Sequence, residues 1–119
     1  MSAAREAFVQ EAELLLADDT DRRAPGAAVT VALCGYWEHE GPCRWPHNNA
    51  ITAAGGGTAR FRTLFVADDA VEPAVRDLIV GALADAAGWS VTSSAARPVA
   101  ASERDLARRL LTTRVVHPS

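Results

Sequence analysis

Residues 34–49 read Cys-Gly-Tyr-Trp-Glu-His-Glu-Gly-Pro-Cys-Arg-Trp-Pro-His-Asn-Asn. This stretch holds both cysteines, two of the three histidines, both asparagines and three of the seven aromatic residues. Alanine makes up about a fifth of the whole chain. Against that background, such a gathering of costly side chains marks 34–49 as the segment where a site is expected. Cys34, His39, Cys43 and His47 are spaced C-x4-H-x3-C-x3-H, and thiolate with imidazole is the ligand set that tetrahedral zinc prefers. Pro42 and Pro46 directly precede two of these residues, and their fixed φ restrains both ligands. The pattern lacks the short C-x2-4-C knuckle of ordinary structural zinc sites.

The same residues support other chemistry. Tyr36, Trp37 and Trp45 offer flat apolar surfaces, and His39, His47, Asn48 and Asn49 offer directional hydrogen bonds, the usual make-up of a small-molecule pocket. Arg44, Arg60 and Arg62 would then hold an anionic group, for which guanidinium is suited. An enzyme would use Cys34 or Cys43 beside His39 or His47 as a thiolate–imidazolium pair, oriented by Glu38, Glu40 or Asn48. A second catalytic arrangement is a two-histidine, one-carboxylate metal centre of His39, His47 and Glu40. The plain structural alternative packs Trp37 and Trp45 over the end of a sheet. It leaves the histidines bonded to backbone, Cys34 as a small buried hydrophobe, and Arg60 and Arg62 on a solvated strand face.

Composition narrows the field. The 119 residues are enough for a single domain spanning 1–119. All twelve basic residues are arginine, which excludes Schiff-base lysine chemistry, lysine-anchored pyridoxal phosphate and a Walker-type phosphate loop. Without that lysine, Gly55-Gly56-Gly57-Thr58 reads as a turn. A net charge of -3 argues against a nucleic-acid partner. No window approaches the length of uncharged apolar sequence that spans a membrane. The charged start of the chain does not read as a signal peptide, so the expected compartment is cytoplasmic, with both cysteines as thiols and a disulfide disfavoured.

The elements that must position the segment follow from periodicity. Phe8, Ala12, Leu15 and Leu16 share one helical face, predicting a helix over 3–17. The β-branched run 28–36 predicts a strand. A second strand covers 59–67, with a short hairpin partner at 50–53 across the glycine turn. Val71, Val75, Leu78, Ile79, Ala82, Leu83 and Ala86 outline an amphipathic helix ending near Gly88. A third strand is expected over 89–94, and a last helix opens near Ser102 and uses Leu106, Leu110 and Leu111. The expected fold is therefore an α+β two-layer sandwich of order α-β-(β)-β-α-β-α. It has a small, mostly antiparallel sheet of three to four strands with helices on one face.

Together these features predict a small accessory domain whose 34–49 segment binds a small molecule or a metal ion such as zinc. The alternatives are the enzyme described above and a structural homodimer joined through the open sheet face.

Overall fold

A computed structural model of the chain describes residues 5–34, 45–85 and 88–112. It is an α+β fold. Its described elements, in chain order, are β1 (Arg5–Leu16), α1 (Ala24–Cys34), β2 (His47–Gly55), β3 (Thr58–Asp68), α2 (Glu72–Ala84), β4 (Trp89–Arg97), a 3-10 turn (Ala101–Glu103) and α3 (Arg104–Thr112). The sheet order is β2-β3-β1-β4 and every neighbouring pair is antiparallel. β1 and β2 are therefore parallel with β3 between them, and β3 and β4 are parallel with β1 between them. Two interleaved split βαβ units result, the ferredoxin-like arrangement, with α3 appended.

Side-chain alternation divides the sheet into two faces. Phe8, Ala12 and Leu14 of β1, Phe61 and Phe65 of β3, and Trp89 and Val91 of β4 meet Val29 and Leu33 of α1 and Val75, Ile79 and Leu83 of α2 in the main core. On the opposite face Val9 and Leu64 pack against Ala107 of α3, with Leu106 and Leu110 around them. Helices thus cover both faces, two on one side and one on the other. This corrects the expectation of helices on one face, because the apolar stripe of α3 meets its own strip of Val9 and Leu64.

The first two elements exchange identity: 5–16 is a strand where a helix was expected, and 24–34 is a helix where 28–36 was expected to be a strand. The order therefore begins β-α. β1 lies between β3 and β4, with α1 and α2 over one face and α3 over Val9 on the other, while Leu15 on that second face is exposed and apolar, which blurs the alternation that marks a half-buried strand. Its glutamates are tolerated because Glu11 stands opposite Arg62 and Glu13 opposite Arg60 in the ladder with β3. In α1, Pro25 sits in the first turn, and Pro25, Val29 and Leu33 recur at four-residue spacing as its buried stripe. That packing outweighs the strand preference of Val29-Thr30-Val31.

The remaining elements match expectation. Gly55, Gly56 and Gly57 all take positive φ (89°, 61° and 80°), a backbone open to glycine, and they turn β2 into β3. No helix among the described residues is long and apolar enough to cross a membrane.

Candidate functional site

The chemistry-bearing segment leaves the core at the end of α1 and rejoins it at the start of β2. Tyr36, Trp37, Glu38, His39, Glu40, Cys43 and Arg44 lie outside the described residues. Cys34, Trp45, His47, Asn48, Arg60 and Arg62 are described, and the fold sorts them into two groups.

Cys34, Trp45 and His47 come to one end of the helix-pair side of the sheet. Cys34 is the last residue of α1, and both Cys34 and Trp45 pack, half-buried, against the main core. Cys34 is disulfide-bonded, which differs from the expected thiol, and the only other cysteine in the sequence is Cys43. His47 opens β2 directly opposite Phe65 of β3. Its Nδ1 is 3.0 Å from the Trp45 carbonyl oxygen and its Nε2 is 3.2 Å from Thr30 Oγ1. A carbonyl only accepts, so Nδ1 carries the ring hydrogen; in the neutral imidazole the Thr30 hydroxyl then donates to Nε2.

The Thr30 contact belongs to a longer neutral chain. Asn49 Nδ2 donates to Thr30 Oγ1 (3.3 Å) and to the Gly26 carbonyl (3.1 Å), while the buried Thr63 hydroxyl donates to Asn49 Oδ1 (2.7 Å). Thr63 is in register with Asn49 on one side and Gln10 on the other, so a polar row crosses the sheet beneath the helices. Gln10 Oε1 accepts from Arg76 Nη1 of α2 (2.8 Å), and Gln10 Nε2 donates to Ser94 Oγ of β4 (2.8 Å). Arg76 also bonds Glu72 and the Val9 carbonyl, with its guanidinium over the rings of Phe8 and Phe65. Among the described residues no buried side-chain polar atom lacks a partner.

Asn48, Arg60 and Arg62 lie on the opposite face. Asn48 is one position along β2 from His47, so its side chain turns to the α3 side. Arg62 Nη1 donates to the Asn48 carbonyl (2.7 Å) and to Asn48 Oδ1 (2.9 Å), and Arg62 Nε is 2.7 Å from Glu103 Oε2. Glu103 receives two more bonds from Arg97, at 2.8 and 3.1 Å, and one from the Ala100 N–H at 3.0 Å. Arg97 also reaches Glu11 at 2.8 Å. The Arg97 hydrogen bonds, helped by the Ala100 N–H and the charge of Arg62, outweigh burial and hold the Glu103 carboxyl at about 2, below its ordinary 4.5. Arg97 is shifted upward by the same carboxylates. Arg62 is thus engaged in fastening the 3-10 turn to the sheet. Arg60 stays exposed, 3.6 Å from Glu13.

No family model, curated protein or solved structure matches this chain. Its site is therefore read from its own residues. Sequence reasoning missed Thr30 and Thr63, which anchor the site from neighbouring elements. Thr30 was hidden by the strand reading of 28–36, whereas its place three residues before Leu33 puts it beside the buried stripe of α1. Glu103 and Arg97 were also missed, although the Arg60-x-Arg62 and Glu11-x-Glu13 spacings were a usable signal that charges would meet across strands. Among the described residues no group of three or more His, Cys, Asp or Glu side chains is placed to hold a metal ion.

Proposed function

We propose that this protein is a small, non-catalytic binding domain that takes an organic ligand with a flat ring and a polar edge at the Cys34–Trp45–His47 end of the sandwich. The observation that carries this reading is the fastening of the segment on one side of one sheet. Cys34 and Trp45 pack on the same core, and His47 is held in one orientation by Thr30 and the Trp45 carbonyl. A pre-positioned aromatic beside an oriented imidazole fits ring stacking with one or two directed hydrogen bonds. Tyr36, Trp37, His39 and Arg44 supply further groups of that kind in the sequence between these posts.

The zinc version of the site asks more of the same residues. Cys34 would have to be reduced, and one ring nitrogen of His47 would have to give up its present partner. The organic-ligand version leaves the Cys34 disulfide in place and uses the rings of Trp45 and His47 for stacking while both nitrogens of His47 keep their partners, the directed hydrogen bonds coming from other groups.

Thermal unfolding tests the reading. Wild type and Trp45→Ala are heated with a panel of aromatic and heteroaromatic acids and amides, and separately with zinc chloride after thiol reduction. A ligand at about 100 times its dissociation constant adds about 2.7 kcal/mol of stability, a shift of several degrees for a domain of this size. The expected result is a subset of ring compounds that raise the midpoint of wild type and not of Trp45→Ala. A panel that shifts neither protein, or both equally, overturns it; a shift given by zinc alone replaces it with the metal version.

A further inference from the structure

We infer that the Cys34 disulfide is a redox-sensitive fastening of the binding end: the oxidised chain holds Trp45 and His47 in place, and reduction by a dithiol lets them go. The ring-ligand reading is needed only for what this fastening serves. Cys34 is disulfide-bonded, and Cys43 is the one partner that the sequence offers. Cys34 is also the last residue of α1 and half-buried against the main core, so the bridge is rooted in a rigid element without being sealed inside it. Along the backbone, ten residues, 35–44, separate Cys34 from Trp45. Across the bridge, only Arg44 stands between Cys43 and Trp45. Oxidation therefore replaces a ten-residue connection by a tether of a few bonds. A shorter tether leaves less chain entropy to lose when Trp45 docks on the core.

The other ties described at this end are single and uncharged when His47 is neutral. Thr30, one turn before Cys34 on α1, meets His47 Nε2 at 3.2 Å, and the Trp45 carbonyl accepts from His47 Nδ1 at 3.0 Å. The Val66 N–H donates to the Pro46 carbonyl at 2.9 Å, where β2 begins at the edge of the sheet. Bonds of this kind at the end of an edge strand open easily. Further in, the anchors do not depend on the bridge. Val29 and Leu33 keep α1 in the main core, and Asn49 bonds the Gly26 carbonyl. Loss of the bridge thus acts on Trp45 and His47 first and leaves α1 packed. The chemistry is two successive exchanges: one thiolate of the dithiol breaks the S–S bond to form a mixed disulfide, and its second thiol closes a disulfide within the reductant. Two electrons and two protons end on the sulfurs of Cys34 and Cys43.

Hydrogen exchange at the Val66 amide and the His47 Nδ1–H, followed by NMR, reads the fastening with no ligand present. Reduction with dithiothreitol is expected to speed both at least about tenfold, while the amides of Leu106 and Leu110 in α3 keep their rates. Cys43→Ser should match the reduced chain with or without the reductant; if circular dichroism shows that this variant does not fold, reduced wild type carries the comparison. Unchanged rates overturn the inference. So does a rise shared equally by α3, which would make the bridge a general stabiliser. Ring compounds from the unfolding panel are then titrated into both oxidation states. Binding at least about tenfold tighter to the oxidised chain supports the fastening and the ligand reading together. Equal affinity in the two states overturns the fastening and leaves the ligand reading standing. A local exchange response with no ring compound bound upholds the fastening and removes the ligand reading.

Discussion

The two faces of the sheet hold their polar side chains by different means. Beneath α3, the Glu103 carboxylate is gripped by Arg62 and Arg97, and Arg97 reaches on to Glu11. Beneath α1, Thr30, His47, Asn49 and Thr63 are joined without a formal charge when His47 is neutral. The charged cluster ties a short helix of nine residues to the sheet, where the apolar contact is small: Val9, Leu64 and Ala107 with a few flanking side chains. The neutral chain lies beside a large core that already holds α1 and α2, so it has less to contribute to stability and more to orientation. Polar groups on the α3 face fasten; those beneath α1 aim His47 and seat the start of β2, while under α2 Arg76 ties its helix to β1 through Gln10 and the Val9 carbonyl.

The largest expected effect that separates the two is Glu103→Gln. Two guanidinium groups lose their shared carboxylate while they remain partly buried, a change that costs about 3 kcal/mol in comparable ion pairs. Urea unfolding measures the loss, and hydrogen exchange at Leu106–Leu110 should rise before that of β1. If α3 keeps its protection, the fastening role is wrong.

Acid should act on the same cluster. The Glu103 carboxyl is lowered from 4.5 to about 2 in the fold, so the unfolded chain binds more protons between those values and its share of stability falls as the pH drops through them. That share is fully present above about pH 5. Wild type should therefore lose stability more steeply than Glu103→Gln between pH 4.5 and 2. Parallel curves would show that the cluster does not carry the acid sensitivity.

On the neutral side, Asn49→Ala leaves the Thr63 hydroxyl and the Gly26 carbonyl short of a partner, a loss of about 1–2 kcal/mol. Matched denaturant titrations of wild type and Asn49→Ala measure the loss. The smallest effect belongs to Arg60→Ala. Its pair with Glu13 is more than half exposed on both sides, so the change should stay within about 0.5 kcal/mol.

Legibility in the sequence followed how one-sided each element is. β3 was readable because Phe61 and Phe65 alternate with Arg60 and Arg62. The β2–β3 turn was readable because three glycines in a row have few other uses. α2 was readable from Val75, Ile79 and Leu83. β1 was not, since the exposed Leu15 between Leu14 and Leu16 breaks the apolar–polar alternation, and Phe8, Ala12, Leu15 and Leu16 satisfy a helix equally well. The opposed pairs Glu11–Arg62 and Glu13–Arg60 were its true signature. In α1, three β-branched residues in a row outweighed the Pro25 start signal.

For the site, residue type led to Cys34, Trp45 and His47, whose convergence at one end depends on elements on either side of the segment. It also led to Asn48 and Arg62, which face the other way because β2 begins at His47 and alternation sends the next side chain through the sheet. Treating 34–49 as one loop concealed that change of side.

The most direct test of where this protein binds is the amide spectrum of the 15N-labelled chain, recorded with and without the ring compounds that raise its unfolding midpoint. The shifts are predicted to gather at Thr30, Cys34, Trp45 and His47, leaving Leu106, Leu110 and Arg97 unmoved. Shifts centred on α3 and the Glu103 cluster, with none at Trp45 or His47, would contradict it.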